Sequence, residues 1–338
     1  MALLAAGIIV AAGAMSGQAA EEIEELRIQG ENFVNGAGEP VRFWGFNVVS
    51  LYPTHAQADS IAAQLASYGV NVVRPHHTTR NAQGNWNAEW AGGSGIGALI
   101  EYGTTTRKPN REAYERFDYF NYRLRENGIY TRLTLDGTRS YLPGDVDILI
   151  TDDADRKAWY EAMDVLNKIY WERARDLRRM LPTIDERAAL LNEEFISEFL
   201  NHRNPYTGMT YGEDPQTLTL EAANETSAEY SVIVGNRFDN SKGTLVYSDG
   251  KTPISAQDEA KLRYWKDKLN AKWTAYLDSA GIPKDQQFDL YASLANNSQS
   301  AKLRSGFLRK LDEDYFLRIK RMVRDQLGCN KPITYSTF

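Results

Sequence analysis

Cysteine is nearly absent. Cys329 is the only one in 338 residues, so no disulfide can form within the chain, and no Cys/His spacing offers a zinc site. A lone cysteine leaves the redox compartment open. Histidine is almost as scarce, with four in all, and the adjacent pair His76-His77 has no third histidine or carboxylate at ligand spacing, so neither a metal nor a cofactor is expected. Beyond the first twenty residues no run is long and apolar enough to span a bilayer. An excess of basic charge is also missing: 39 Lys and Arg stand against 45 Asp and Glu, a net charge of −6, which argues against nucleic acid or an anionic membrane surface as the main partner.

What the chain does hold is the material of a packed globular domain, 42% hydrophobic and 25% charged, too apolar for disorder. Its 19 tyrosines and 7 tryptophans are generous for the length. Flat aromatic faces suit the C–H faces of sugar rings, although most such rings in any protein are core. The apolar run Ala2 to Ala14, the small residues Gly17-Gln18-Ala19-Ala20 and the acidic Glu21-Glu22 outline a signal peptide over residues 1–20, with no Lys or Arg ahead of the apolar run. That outline predicts a secreted or periplasmic protein. No linker divides the remainder, so residues 21–338 are expected to form one domain.

Periodicity predicts strands alternating with helices. Leu26 to Ile28 and Phe33-Val34 read as a short antiparallel ribbon, followed by a long strand at Val41 to Val49. A helix is expected over His55 to Tyr68, a strand over Val70 to Pro75, a helix over Glu112 to Asn127 and a strand over Ile129 to Leu135. The long helical region Arg156 to Leu200 is expected to break into two helices at Pro182. A strand over Thr217 to Ala223, helices over Gln257 to Ala280 and Phe307 to Leu327, and a strand opening at Pro332 complete the pattern. Such alternation means α/β with a parallel sheet. A doubly wound nucleotide-binding sheet wants a glycine-rich turn after its first strand, but Ser50-Leu51-Tyr52-Pro53 and His76-His77-Thr78 follow the first two long strands here. A barrel instead gathers functional side chains past the carboxyl ends of its strands, and that is where Asn47, Arg74 with His76 and His77, and Asn224-Glu225 fall.

The sharpest local signal is the strand Leu218 to Glu221 running on to Asn224-Glu225. Glycosidic cleavage needs a carboxylic acid to protonate the leaving oxygen and a second carboxylate across the sugar. A partly buried Glu at a strand end, beside another carboxylate, can hold that proton at neutral pH, and the amide of Asn224 can bond a sugar hydroxyl. Glu221 and Glu225, four apart, point to one face of a regular strand. Glu221 then lies a layer deeper and needs a charged partner, for which Arg74 is placed; it reads as a buried carboxylate that positions its neighbours. Arg74 has two plausible tasks, holding Glu221 or contacting a second catalytic carboxylate. His76 and His77 either line a sugar pocket or make structural hydrogen bonds. No task is assigned to His55 or His202.

Five segments in order, Phe43 to Asn47, Gly69 to His76, Gly128 to Tyr130, Asn204 to Gly208 and Glu221 to Glu225, resemble the cellulase-like glycoside hydrolases of clan A, near family 5. The resemblance runs from about Ile28 to the last residue. It implies a (β/α)8 TIM barrel, present here as an incomplete barrel of about five βα units, and retaining hydrolysis of a β-linked oligo- or polysaccharide. Glu225 matches the family's acid/base, Asn224 its contact to the sugar 2-hydroxyl, and Arg74 the arginine that orients the nucleophile. The nucleophile Glu of the family stands at the end of the seventh strand, a position expected to lie beyond this chain, so the chain alone is expected to be inactive. The sequence departs from the pattern after the third long strand, where Asp136-Gly137-Thr138-Arg139 stands in place of a histidine. Trp86, Trp90 and Tyr141 are candidates for stacking on sugar. The alternative is a catalytically inactive barrel serving as a carbohydrate-binding or adhesion module.

Overall fold

The structure is a computed structural model that describes residues 23–80, 96–135, 139–234 and 245–335. The expected signal peptide at 1–20 and the candidate sugar-stacking residues Trp86 and Trp90 lie outside these residues.

The ribbon forms as the alternation predicts, β1 (Arg27–Gln29) pairing antiparallel with β2 (Asn32–Val34). Five parallel strands follow, β3 (Gly45–Val49), β4 (Val72–His76), β5 (Tyr130–Thr134), β6 (Thr217–Glu221) and β7 (Ile333–Thr334). Their order in the sheet is their order in the chain. A doubly wound sheet reverses direction partway and puts its first strand inside, whereas this sheet advances one strand at a time, the winding of a barrel wall. Among the described residues it does not close, and β3 and β7 form its two edges.

Helices make each crossover. Between β3 and β4 lies α1 (His55–Ser67), opened by a capping box in which Thr54 and Gln57 satisfy each other's backbone N–H groups. Gly69, at φ 74°, turns the chain back into β4. Helix α2 (Arg111–Glu126), capped by Asn110, leads to β5, with Gly128 at φ 69° as the matching turn. Ala58 and Ala62 of α1 and Phe120 and Leu124 of α2 pack over Val73 of β4. Small residues on α1 let the helix sit close to the sheet.

The helical region before β6 differs from expectation. It contains three helices, α3 (Asp153–Leu166), α4 (Trp171–Ile184) and α5 (Glu186–Asn201). Pro182 sits in the last turn of α4 and the break follows at Asp185, whose side chain caps α5 by accepting from Ala188 N–H. The earlier break, at 167–170, carries neither Pro nor Gly, so local sequence gave no sign of it. Two further helices, α6 (Ala256–Ser279) and α7 (Gln299–Arg321), precede β7. Together α3, α4, α6 and α7 enclose a second core centred on Trp159 and Trp265, whose rings meet edge to face at 6.1 Å. No helix among the described residues is long and apolar enough to cross a membrane.

Candidate active site

Side chains alternate across a strand, so each strand of this sheet presents one face to the helices and one away from them. Val73, Leu133 and Leu220 point into apolar cores. The opposite face carries a polar row across all five strands. Register sets Asn47 beside Arg74 and Thr134 beside Glu221, with Thr334 on the other side of Glu221. Arg74 donates from Nε and Nη2 to Oε2 of Glu221, at 2.9 and 2.5 Å. Its Nη2 also donates to Oδ1 of Asn224 at 2.5 Å, and its Nη1 to Oδ1 of Asn47 at 3.4 Å. Arg132 donates to Oε1 of Glu221 at 2.9 Å and to Oγ1 of Thr334 at 3.1 Å. Thr134 completes the shell with an O–H donated to Oε2 at 2.7 Å. Glu221, 1% exposed, is thus held by two guanidiniums and a hydroxyl. A carboxylate so buried is tolerated only with such partners.

One layer further toward the carboxyl ends, the backbone is strained. Ser50, His77 and Glu225 take φ values of 45°, 58° and 49°, in the left-handed region that non-glycine residues rarely enter. Each lies shortly after a sheet strand. Such conformations cost about 1–3 kcal/mol each and gather where a side chain must be aimed. Ser50 donates its hydroxyl to the carbonyl of His77 at 3.0 Å, tying the first two of these turns together. Glu225 follows Asn224 directly, so the residue that Arg74 holds and the strained carboxylate share one end of the sheet.

His76 stands two residues past Arg74 on the same face and is 9% exposed, its ring 4.3 Å from that of His77. Burial lowers its pKa to about 4, helped by Arg74, Arg179 and Arg80 and opposed by Glu221. The imidazole is therefore neutral at pH 7. Neither ring nitrogen has a hydrogen-bond partner among the described residues, nor do Nδ2 of Asn224 and the hydroxyls of Thr78 and Thr79, all buried. Unsatisfied buried polar atoms are scarce in folded proteins. Their concentration here, past β4 and β6, marks a place that hydroxyl-bearing ligand or water would complete.

The structure brings together Arg74, Asn47, Asn224 and Glu221, and sets His76, His77 and Glu225 at the same mouth. Two expectations need correction. Glu225 was expected to be partly buried beside a carboxylate. Its side chain is instead 50% exposed, with the guanidinium of Arg179 on α4 at 3.4 Å, because β6 ends at Glu221 and the period-two alternation does not run on to 225, where the backbone is left-handed. Tyr141 does not overhang the mouth. It is 1% exposed in the helical core, and its hydroxyl donates to Asn192 at 3.1 Å. Arg132, Thr134, Thr334 and Arg179 were not singled out from sequence. For Arg132 and Thr134 a signal existed, two polar residues at period two and so on one face of the strand. Arg179 comes from a distant helix and gave none. Among the described residues no cluster of three or more His, Cys, Asp or Glu side chains is arranged to hold a metal.

No family model matches this chain, and no curated protein matches it. Solved structures to which this chain is similar include an endo-β-1,4-mannanase from Thermotoga petrophila, at 21% identity over 59% of this chain and 38% of that one, with a TM-score of 0.35. A glycoside hydrolase family 5 mannosidase from Rhizomucor miehei is 12% identical over 93% of this chain and 86% of its own, with a TM-score of 0.39. An endo-1,4-β-mannanase from the same organism is 15% identical over 93% and 90%, with a TM-score of 0.41. This chain therefore spans under two fifths of the Thermotoga enzyme. The likeness is distant, and what the site can do is read from its own residues. In these comparisons the chain is similar to glycoside hydrolases of the family 5 kind.

Proposed function

We propose that this chain is the catalytic domain, or the first part of it, of an exported retaining glycoside hydrolase acting on a β-linked glycan. The observation that carries the reading is Arg74, which grips Glu221 and reaches on to Asn224, the residue immediately before Glu225. In this reading Glu225 is the acid/base, protonating the leaving oxygen and then drawing a proton from the water that releases the sugar. The half-exposed carboxyl is open to a substrate that would exclude water from it. Asn224, whose Nδ2 has no partner among the described residues, bonds the sugar hydroxyl beside the reacting carbon. Arg74 is a positioning residue, orienting Asn224 and the nucleophile. The nucleophile is a carboxylate on a further barrel strand, about 5–5.5 Å from Glu225, and the five strands seen are the first part of the eight. His76, His77 and Asn47 line the sugar site.

The 338-residue chain is expected to bind β-linked mannotetraose or cellotetraose without turning over aryl β-glycosides. A longer form supplying the second carboxylate is expected to hydrolyse them. In that form Glu225→Gln should lower kcat/KM for glycan by about 10²–10⁴-fold and spare kcat/KM for dinitrophenyl glycosides, whose leaving group needs no proton, while kcat on the latter falls because the water of the second step loses its base. Equal loss on both substrates would remove Glu225 from the acid/base position, and absence of binding to any β-linked oligosaccharide would end the reading. The second reading, a barrel that binds glycan without cutting it, is favoured by the guanidinium of Arg179 standing against Glu225. Binding without turnover in every form of the protein would establish it.

A further inference from the structure

Away from the sheet, the helical layer holds a polar cleft of about 260 Å³, with walls from the end of α4, the start of α5, α6 and α7. It shares no residue with the mouth of the sheet. Its volume falls just under the roughly 300–1,000 Å³ of drug-sized ligand sites, room for a molecule of about a dozen heavy atoms. Most charges around it are settled. Arg318 is taken on all its guanidinium nitrogens by Glu186 and Glu193, at 2.6 to 2.9 Å. Asp314 pairs with Lys310 at 2.8 Å. Two groups are left over. Lys272 makes no hydrogen bond or ion pair among the described residues, and its charge acts on Glu186 only through space. Asp185 has a wholly buried side chain and spends Oδ1 on the indole N–H of Trp159 at 3.1 Å and the backbone N–H of Ala188 at 3.0 Å. Its Oδ2 lies 3.1 Å from the ammonium of Lys268, an ion pair that is not a hydrogen bond, and has no hydrogen-bond partner among the described residues.

Lys268 and Lys272 are one turn apart on α6, so they share a face of it, and both line the cleft. Like charges at that spacing repel, and an anion between them would exchange the repulsion for charge-assisted hydrogen bonds. The buried oxygen of Asp185 calls for a donor as well. A cationic donor is disfavoured there, because the ammonium of Lys268 already stands against the same oxygen. A neutral hydroxyl meets no such repulsion. We propose that this cleft binds a small hydroxylated anion of the size of a hexose phosphate or a sugar acid. Its phosphate or carboxylate lies between Lys268 and Lys272, and one of its hydroxyls donates to Oδ2 of Asp185. The site does not depend on the glycoside reading above.

Titration calorimetry on the full chain tests this with glucose 6-phosphate, gluconate, glucose and inorganic phosphate. The first two separate a phosphate from a carboxylate source, glucose removes the charge, and inorganic phosphate removes the hydroxylated frame. At low salt at least one of the first two is expected to bind about tenfold tighter or better than both glucose and inorganic phosphate, with the preference shrinking as ionic strength rises. Lys272→Gln should erase most of that preference and Lys272→Arg should retain it. Lys272 is exposed and makes no hydrogen bond among the described residues, so neither exchange threatens the fold. Failure of both hydroxylated anions to bind overturns the inference, and so does glucose or inorganic phosphate binding as tightly as they do. Binding that Lys272→Gln leaves unchanged overturns it too, because the anion then sits elsewhere on the protein.

Discussion

Two arginines, the buried Arg187 in the helical layer and the part-buried Arg74 on the sheet, each hold a carboxylate, and their surroundings differ in what is left over. Arg187 donates to the carbonyls of Val146 and Leu149, at 3.1 and 3.2 Å, to Oδ2 of Asp155 at 2.7 Å and to the hydroxyl of Thr151 at 2.5 Å. Asp155 also accepts from Thr151 at 2.7 Å and from Tyr264 at 2.8 Å. Burial alone would raise the pKa of Asp155; the bonds from Thr151, Arg187 and Tyr264 outweigh it and hold the group at about 2. Every nitrogen of the Arg187 guanidinium and both carboxylate oxygens of Asp155 have partners within the protein. Arg74 and Glu221 are as firmly bound to each other, but beside them His76, Asn224, Thr78 and Thr79 keep buried polar atoms with no partner among the described residues. One arrangement is closed and ties helices together. The other is open on one side, and its open side lies at the carboxyl end of a parallel sheet, where ligands of such folds bind.

The largest expected effect tests what the two regions share. Glu221→Ala strands two guanidiniums, and Arg187→Ala strands Asp155, so each should lower unfolding free energy by about 3–5 kcal/mol in urea titration. A much smaller loss for Glu221→Ala would mean that the part-exposed Arg74 and Arg132 are solvated well enough to stand without the carboxylate, and the cluster would lose its standing as a structural ion pair.

A paired substitution then separates them. His76→Phe keeps a flat ring and deletes two nitrogens that have no partner among the described residues, so stability should hold or rise slightly, while affinity for the proposed oligosaccharide ligand should fall about tenfold, the worth of one or two lost hydrogen bonds. Tyr264→Phe deletes a hydroxyl whose bond is used internally, so it should cost about 1–2 kcal/mol of stability and leave oligosaccharide affinity unchanged. If His76→Phe destabilises as Tyr264→Phe does, the ring nitrogens of His76 have internal partners after all and the open side is not open.

This contrast also explains what the sequence could reveal. The pairing of Arg74 with Glu221 was legible because strand geometry is regular: period two puts Glu221 on the inner face, and a buried carboxylate there must find a cation. The singly wound sheet was legible from the alternation of elements and the absence of a glycine-rich turn. What escaped was non-local or irregular. The left-handed turn at Glu225 rotates its carboxyl toward Arg179, and no rule of spacing anticipates a left-handed glutamate. Tyr141 looked like a loop aromatic because the segment around it is short of periodicity, yet Asn192 on α5 gives its hydroxyl a buried partner. The break between α3 and α4 is set by packing of both helices on α6 and α7, which local propensity does not encode.

The smallest effect joins the two regions. Asp312 on α7 accepts from the backbone N–H of Ala228, at 3.0 Å to Oδ2, and from the hydroxyl of Tyr335 at 3.4 Å, so a helix of the apolar layer underpins the segment just after Glu225. Burial raises its pKa to about 6, against the weaker opposing pull of those two bonds and with Glu229 adding to the rise. In the unfolded chain the same carboxyl titrates near 3.9. Between about pH 4 and pH 6 the folded protein therefore holds a proton that the unfolded chain has released, and stability must fall as pH rises through that window, with the loss complete above it. Asp312→Asn keeps an acceptor for Ala228 and removes the titration. Melting followed from pH 4 to pH 7 should show the unmodified protein losing on the order of 1–2 kcal/mol that the variant keeps. Parallel curves would mean that the carboxyl is already ionised at pH 4 in the folded state, and that α7 holds the Glu225 segment by an ordinary carboxylate bond with no proton involved.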